Sequence, residues 1–234
     1  MYEVQKESGN YEPSFRESML EDIELEKIRE IAPTLFVLAK KIIQSGKTYD
    51  FILSDDASGR LVSLFIKRLI DRFQMGKGLS KTDIRFVSGG RHGNTETFCK
   101  IKELVKKIAP THVLLVTECI DTGRSILILS NILRELNLDF DIATVSGSED
   151  SMSNISSLLE QTSKRLYFGS EGWAGSTFQG YSGSGVIKYG DSLFPRKIIT
   201  RQHMPNYRRK AQSCVNRARK DIALLAERIW KELA

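Results

Sequence analysis

The stretch "VLLVTECIDTGRSI", Val113 to Ile126, passes from four apolar residues through Thr117 and Glu118 into a turn holding Asp121, Gly123 and Ser125, and then becomes apolar again. Its start has the character of a buried strand, while "SILILSNILREL" after the turn repeats apolar residues at three and four, the spacing of one helix face. A strand feeding a helix through a short polar turn is half of a βαβ unit, and the neighbouring sequence repeats the pattern. "FILSDD", "DIRFVSGG" and "DIATVSG" read as further strands, and "LVSLFIKRLIDRF" and "TETFCKIKELVKKI" as amphipathic helices. Strands alternating with helices predict an α/β fold with an open, mostly parallel sheet, flanking helices and right-handed crossovers.

The rest of the chain sets bounds on this core. At 234 residues, with 41% hydrophobic and 27% charged residues, it fits one large globular domain or a core with an appendage. No apolar run reaches the ~18 residues of a membrane span, and "MYEVQKESGNYEP" lacks the apolar region of a signal peptide, so a cytoplasmic protein without a membrane partner is expected. Cys99, Cys119 and Cys214 have neither CxxC nor Cys/His spacing, which predicts reduced thiols rather than a zinc site or a disulfide framework. Four segments follow. Residues 1–48 form an N-terminal helical segment, in which "SMLEDIELEKIREIAPTLFVLAKKIIQS" has helical spacing and Pro33 marks a break or a second start. Residues 49–146 are the α/β core. Residues 147–200 hold the remaining core and a Gly/Ser/aromatic-rich stretch, which reads equally as a flap over a ligand or as hairpins packed on the sheet. Residues 201–234 form a basic C-terminal helix with an apolar stripe at Ala211, Val215, Ala218, Ile222, Leu225, Ile229 and Leu233, the mark of core or subunit contact.

Charge is divided unevenly along the chain. Nine Lys or Arg and no acid lie between Arg196 and Lys220, whereas the first thirty residues hold nine acids against four bases. The favoured expectation is that the acidic N-terminal and basic C-terminal helices lie together and neutralise one another; the sharper one is a surface for phosphate-rich partners.

In an open α/β sheet, ligands bind beyond the C-terminal ends of the strands where the strand order reverses, so the strand-exit loops carry the functional reading. The turn "DTGRS" before a helix places the amides of Thr122 to Ser125 at a helix N-terminus, where they and the helix dipole can hold a phosphate. Gly123 admits close approach, the hydroxyls of Thr122 and Ser125 add donors, and Arg124 adds charge. Glu118 can accept hydrogen bonds from sugar hydroxyls or help hold Mg2+ whose other ligands are substrate oxygens and water. The plainer alternative is that Asp121, Thr122 or Ser125 only caps the helix.

"VLLVTECIDTGRSI" resembles the phosphoribosyl pyrophosphate (PRPP) motif of type I phosphoribosyltransferases, in which an apolar strand leads to two acids, two further residues, and then Asp-Thr-Gly with a small hydroxyl residue. The resemblance implies that Asp121 to Ser125 bind the 5′-phosphate, that the acids bind ribose hydroxyls, and that Asp121 is a candidate general base near the incoming acceptor. One position departs: where the family has its first acid, this chain has Thr117, which can hydrogen-bond but carries no charge. "SDDASGRLVSLF" is similar to the family's pyrophosphate loop through Asp56, Ala57 and Gly59, with Ser58 and Arg60 as further contacts. "SGGRHGNTE" is the positional equivalent of the mobile catalytic loop, where Arg91, His92 and Thr95 could close over pyrophosphate, although a solvent loop is the plainer reading. The resemblance covers about residues 50 to 146.

It implies a transfer of ribose 5-phosphate from PRPP with Mg2+, releasing pyrophosphate, in a protein that would often be a homodimer. Trp173, Phe178 and Tyr181 are candidates for stacking on the acceptor base, and Lys188 for donating to its exocyclic oxygen. No pattern identifies the acceptor. The alternative is a non-catalytic protein of the same fold that senses PRPP or a nucleotide and contacts nucleic acid through its basic C-terminal region. The absence of a helix-turn-helix or an RNA-binding signature counts against nucleic acid. No GxxxxGK[ST] occurs, and "GSGVIKYG" has the wrong glycine spacing for a dinucleotide site.

Overall fold

The computed structural model describes residues 14–55, 59–87, 95–148, 150, 153, 155, 164–170, 186–187, 196–197 and 205–234. Five strands, β1 (Phe51–Asp55), β2 (Asp83–Val87), β3 (His112–Ile120), β4 (Asp139–Gly147) and β5 (Leu166–Phe168), form one sheet in the order β2-β1-β3-β4-β5, and every pairing is parallel. The helices are α1 (Glu26–Gln44), α2 (Gly59–Gly76), α3 (Thr95–Ile108), α4 (Arg124–Glu135) and α5 (Pro205–Leu233).

Alternation along the strands sends side chains to two cores. Ile52, Leu114, Val116, Ala143 and Val145 pack on one face with α1, α2 and α5. Phe51, Leu53, Val113, Leu115 and Ile142 pack on the other with residues of α3 and α4. Because both faces are covered, the strands are near-continuous apolar runs, as parallel sheets require. The chain steps from β1 outward to β2 through α2, then back past β1 to β3 through α3 on the opposite face. A change of direction accompanied by a change of face is what right-handed crossovers demand. The strand order therefore reverses between β1 and β3.

Three differences from the sequence expectations have physical causes. Pro33 does not break the N-terminal helix: it lies inside α1. An interior proline costs about 3 kcal/mol, and here the burial of Ile31, Ala32, Leu35 and Phe36 around it outweighs that cost. The break comes earlier, where a 3-10 turn over Glu17–Leu20 is separated from α1 by Asp22 in the left-handed region (φ 56). Asp221 on α5 then caps α1 from outside the helix, its Oδ2 accepting from the N–H groups of Glu24 (3.0 Å) and Leu25 (2.8 Å). The third difference is β5, which takes Tyr167 and Phe168 out of the Gly-rich stretch and into the sheet. Gly169 follows because nothing larger fits: a Cβ there would sit 2.5 Å from both Thr34 Cγ2 and Thr34 O. Farther on, Val186–Ile187 (β6) pairs antiparallel with Arg196–Lys197 (β7).

The expected neutralisation of the two termini is present. Arg217 and Lys220 of α5 bond Glu24 at 3.1 and 3.2 Å, and Arg228 bonds Asp22 at 3.0 Å. Among the described residues, no helix is long and apolar enough to cross a membrane.

Candidate functional site

The loops singled out by sequence leave β1 and β3, the neighbouring strands that flank the reversal in strand order. The start of α2, which follows the first of them, packs against both strands. A Cβ on Gly59, the first residue of α2, would lie 3.0 Å from Ser54 Oγ on β1, 3.4 Å from Val116 O and 3.5 Å from Thr117 Cα on β3. The start of α2 thus settles closely across both strands, and a side chain here would have to displace Ser54 Oγ by a few tenths of an ångström. Ser54 Oγ is held from the other side by the hydroxyl of Ser63, 2.8 Å away and also buried.

On β3 the polar residues divide by depth. Thr117 and Glu118 are each 2% exposed, still within the sheet, whereas Asp121, Thr122 and Arg124 are exposed and Ser125 is half-buried. Thr117 Oγ1 donates to Cys119 O at 3.4 Å, and Thr144 Oγ1 on β4 lies 3.3 Å from Glu118 O and 2.8 Å from Ser146 O. Burial pushes the Cys119 thiol up, the nearby charges of Glu118 and Asp121 push the same way, and a hydrogen bond with Ser146 opposes them. Cys119 is accordingly a neutral thiol at physiological pH rather than a nucleophile.

The turn after β3 is shaped by Gly123, whose φ of 71° lies in the left-handed region that other residues enter only at a cost. Gly123 is the N-cap of α4 and has no side chain with which to cap; its carbonyl accepts the first helical bond from Leu127 at 2.9 Å. The alternative in which neighbouring hydroxyls exist to cap α4 has weak geometric support, since Thr122 Oγ1 reaches the Arg124 N–H only at 3.5 Å. The exit of β4 braces the turn: Ser148 donates from its N–H to Ile120 O and from its hydroxyl to Asp121 O, each at 3.0 Å. Ile155 closes the underside, with Cδ1 3.2 Å from where a Gly123 Cβ would be.

At the start of α2, the Arg60 guanidinium stacks over the Phe86 ring of β2, its Cζ 4.0 Å from the centroid. Burial, followed by the charge of Arg219 on α5, lowers its pKa. Asp56, Ala57, Ser58, Arg91, His92, Trp173, Phe178, Tyr181 and Lys188 lie outside the described residues, and of Thr95 only the backbone, which opens α3, is described. Among the described residues there is no group of three or more His, Cys, Asp or Glu placed to hold a metal ion.

A cavity of about 200 Å³ opens at the opposite, N-terminal edge of the sheet, lined by Lys47, Tyr49, His112, Asp139, Phe140 and Asp141 among others. Its polar groups satisfy one another: Asp141 Oδ2 accepts from Lys47 Nζ (2.8 Å) and Tyr49 OH (2.7 Å), and His112 Nδ1 lies 3.0 Å from Asp139 Oδ2. It is smaller than the ~300–1,000 Å³ of most ligand pockets, and of the motif stretch only Val113, at the start of β3, lines it.

Sequence reasoning missed Ser54, Phe86, Ser146 and Ser148. Each is defined by a neighbour on another strand or helix, so no local pattern could have marked it.

No protein-family model matches the chain, and no curated protein does. Among solved structures it is similar to one described as "Crystal structure of purine phosphoribosyltransferase from Pyrococcus horikoshii Ot3", with 13% identity and a TM-score of 0.37, over 74% of this chain and 95% of that one.

Proposed function

We propose that the chain is a phosphoribosyltransferase that takes PRPP as donor and transfers ribose 5-phosphate to a small acceptor. The observation that carries this reading is that β1 and β3, the strands whose exits carry the phosphate-motif sequences, are neighbours where the strand order reverses. In this reading, the turn from Asp121 to Ser125 receives the 5′-phosphate on the amides at the start of α4, with Arg124 adding charge. The β1–α2 turn, from Asp56 to Arg60, receives the pyrophosphate. Mg2+ would neutralise the leaving group, held by substrate oxygens and water with Glu118 as the protein carboxylate, a hard oxygen donor suited to it. The bond from C1 to the pyrophosphate oxygen breaks and its electron pair departs with pyrophosphate. The acceptor nitrogen or oxygen bonds C1 and gives its proton to the exposed carboxylate of Asp121. Anchoring both ends of the donor positions C1, and the nearby carboxylates favour the positive charge developing there. A homodimer and an acceptor seat formed by Trp173, Phe178, Tyr181 and Lys188 belong to the same proposal.

The test is a pyrophosphate-release screen with Mg2+, PRPP and a broad panel of bases. Release is expected with at least one base, and Asp121→Asn abolishes it while the circular dichroism spectrum and melting temperature stay those of the parent. Failure to bind PRPP at millimolar concentration in calorimetry overturns the proposal.

The second reading is favoured by Thr117, an uncharged residue buried at the position where the family has an acid. A PRPP- or nucleotide-sensing regulator would bind the donor without releasing pyrophosphate from any base, and would bind nucleic acid with steep salt dependence.

A further inference from the structure

β3 and β4 run side by side as far as the rung that pairs Ile120 with Gly147, the last of their ladder. The next residue, Ser148, reaches back to β3 twice: its N–H donates to Ile120 O and its hydroxyl to Asp121 O, each at 3.0 Å. The first bond continues the backbone pattern of a parallel ladder. The second does not belong to that pattern, and by it a side chain takes hold of one carbonyl beyond the end of the sheet.

Together the two bonds hold the peptide units on either side of Asp121. A trans peptide is planar, with its C=O and N–H pointing in opposite directions, and no cis peptide occurs among the described residues. Turning Ile120 O and Asp121 O toward Ser148 therefore turns the N–H groups of Asp121 and Thr122 away from it. With both flanking planes held, the two dihedrals of Asp121 are set, and so is the direction in which its side chain leaves the backbone. The Thr122 amide is the first of those proposed above to receive the 5′-phosphate. Asp121 carries the carboxylate proposed to take the acceptor's proton. One serine thus bears on the aim of both groups.

Thr122 and Gly123 do not fix that peptide from the other side. Thr122 Oγ1 reaches only forward, to the Arg124 N–H at 3.5 Å, and Gly123 has no side chain with which to cap α4. The φ of 71° at Gly123 belongs to a residue with wide backbone freedom. The end of β4 is stiffer. Thr144 is fully buried, and its Oγ1 lies 2.8 Å from Ser146 O and 3.3 Å from Glu118 O, tying the last residues of both strands together. Were the Asp121–Thr122 peptide to rotate, it would present a carbonyl oxygen to an anion in place of an N–H, replacing attraction with repulsion.

We propose that Ser148, which lies outside both phosphate-type motifs, is a positioning residue for the donor turn. Its hydroxyl holds the Asp121–Thr122 peptide so that the Thr122 N–H faces the 5′-phosphate and the Asp121 carboxylate faces the acceptor. The identity of the ligand rests on the transferase reading, whereas the hold on an anion-binding turn does not.

Ser148→Ala removes the hydroxyl and leaves the backbone bond to Ile120, while Ser148→Thr keeps both. Ser45→Ala is the control: it removes another hydroxyl-to-carbonyl bond, from Ser45 to Ile42 O at 2.7 Å, next to the Gly46 and Lys47 lining of the cavity at the opposite edge of the sheet. PRPP and, separately, inorganic phosphate are titrated calorimetrically into the full chain and each variant, with circular dichroism and thermal melts to check folding. Ser148→Ala is expected to weaken both anions about fivefold, the scale of one hydrogen bond. Ser148→Thr is expected to bring both back to within about twofold of the parent, and Ser45→Ala to stay within the same range. The proposal is overturned if folded Ser148→Ala binds the anions as the parent does, if Ser148→Thr recovers nothing, if Ser45→Ala weakens binding equally, or if the parent binds neither anion. Phosphate binding that depends on Ser148 in a protein that releases pyrophosphate with no base upholds the positioning role and sinks the transferase. Pyrophosphate release whose kcat and KM are indifferent to Ser148→Ala does the reverse.

Discussion

The two edges of the sheet differ in how their polar side chains are partnered. At the N-terminal edge Asp50, Tyr49 and Asp141 are each bonded to other parts of the protein. Asp141 accepts from Lys47, from Tyr49 and, at 2.7 Å, from the Arg165 N–H, while the Tyr49 hydroxyl also lies 3.1 Å from that of Tyr167. Burial, and then the charge of Asp141, push the Tyr49 phenol far up, so it stays a neutral donor. Asp50 accepts from the Thr111 N–H (2.7 Å), the Thr111 hydroxyl (2.8 Å) and the His112 N–H (3.0 Å), tying the entry of β1 to that of β3. At the C-terminal edge, Thr122 and Arg124 face solvent, the α4 N-cap has no side chain, and the Arg60 Nε has no partner among the described residues. A saturated polar network serves stability, and in the reading proposed above the exposed groups at the strand-order reversal are the ones a ligand would meet.

The contrast can be broken by substitutions at either edge. The largest effect is expected from Asp141→Ala, which strands three donors and leaves Lys47 without its partner; a loss of about 3 kcal/mol or more in denaturant unfolding is expected. A loss under 1 kcal/mol would show that the lower network is not a stabilising unit. Gly123→Ala, at the upper edge, places a side chain in the left-handed region and is expected to cost about 1–2 kcal/mol, with donor binding weakened beyond what stability alone explains. Asp50 supplies a pH test. Desolvation alone would raise its pKa, but the bonds from Thr111 and His112 outweigh it and the folded-state value is lowered. Its contribution is therefore present above the ordinary carboxylate pKa of about 4 and is lost as pH falls through the lower folded value. Asp50→Ala should destabilise the protein at pH 7, and the gap to the parent should narrow steadily toward pH 2; a gap independent of pH removes the linkage. The smallest stability effect is expected for Arg124→Ala, within about 0.5 kcal/mol because the side chain is exposed, together with a clear loss of donor affinity. Unchanged affinity there would dissolve the distinction between the edges.

The four long strands and the helices between them were legible because their apolar residues recur at strand or helix spacing over five residues or more. β5 was not, since three residues cannot display a period and "LYF" sits in a glycine-rich neighbourhood. Pro33 misled for a related reason: a local rule about proline competes with burial that local sequence does not reveal. Of the candidate site, residues 117 to 125 could be placed in sequence order as strand, turn and helix start. Their depths could not, and the burial of Glu118 against the exposure of Asp121 arises only from where β3 leaves the sheet.

By itself, the sequence determined the α/β alternation and displayed two strand exits that resemble phosphate-binding turns, with Thr117 where that resemblance expects an acid, all of which are written in consecutive residues. The tertiary structure decided which strands are neighbours, and so that β1 and β3 end side by side. It also decided that Gly59 packs against both β1 and β3, and that Arg217 and Lys220, nearly 200 residues downstream, return to pair with Glu24. Periodicity is a local property of the chain, whereas strand order, burial and the pairing of distant charges depend on how distant segments pack.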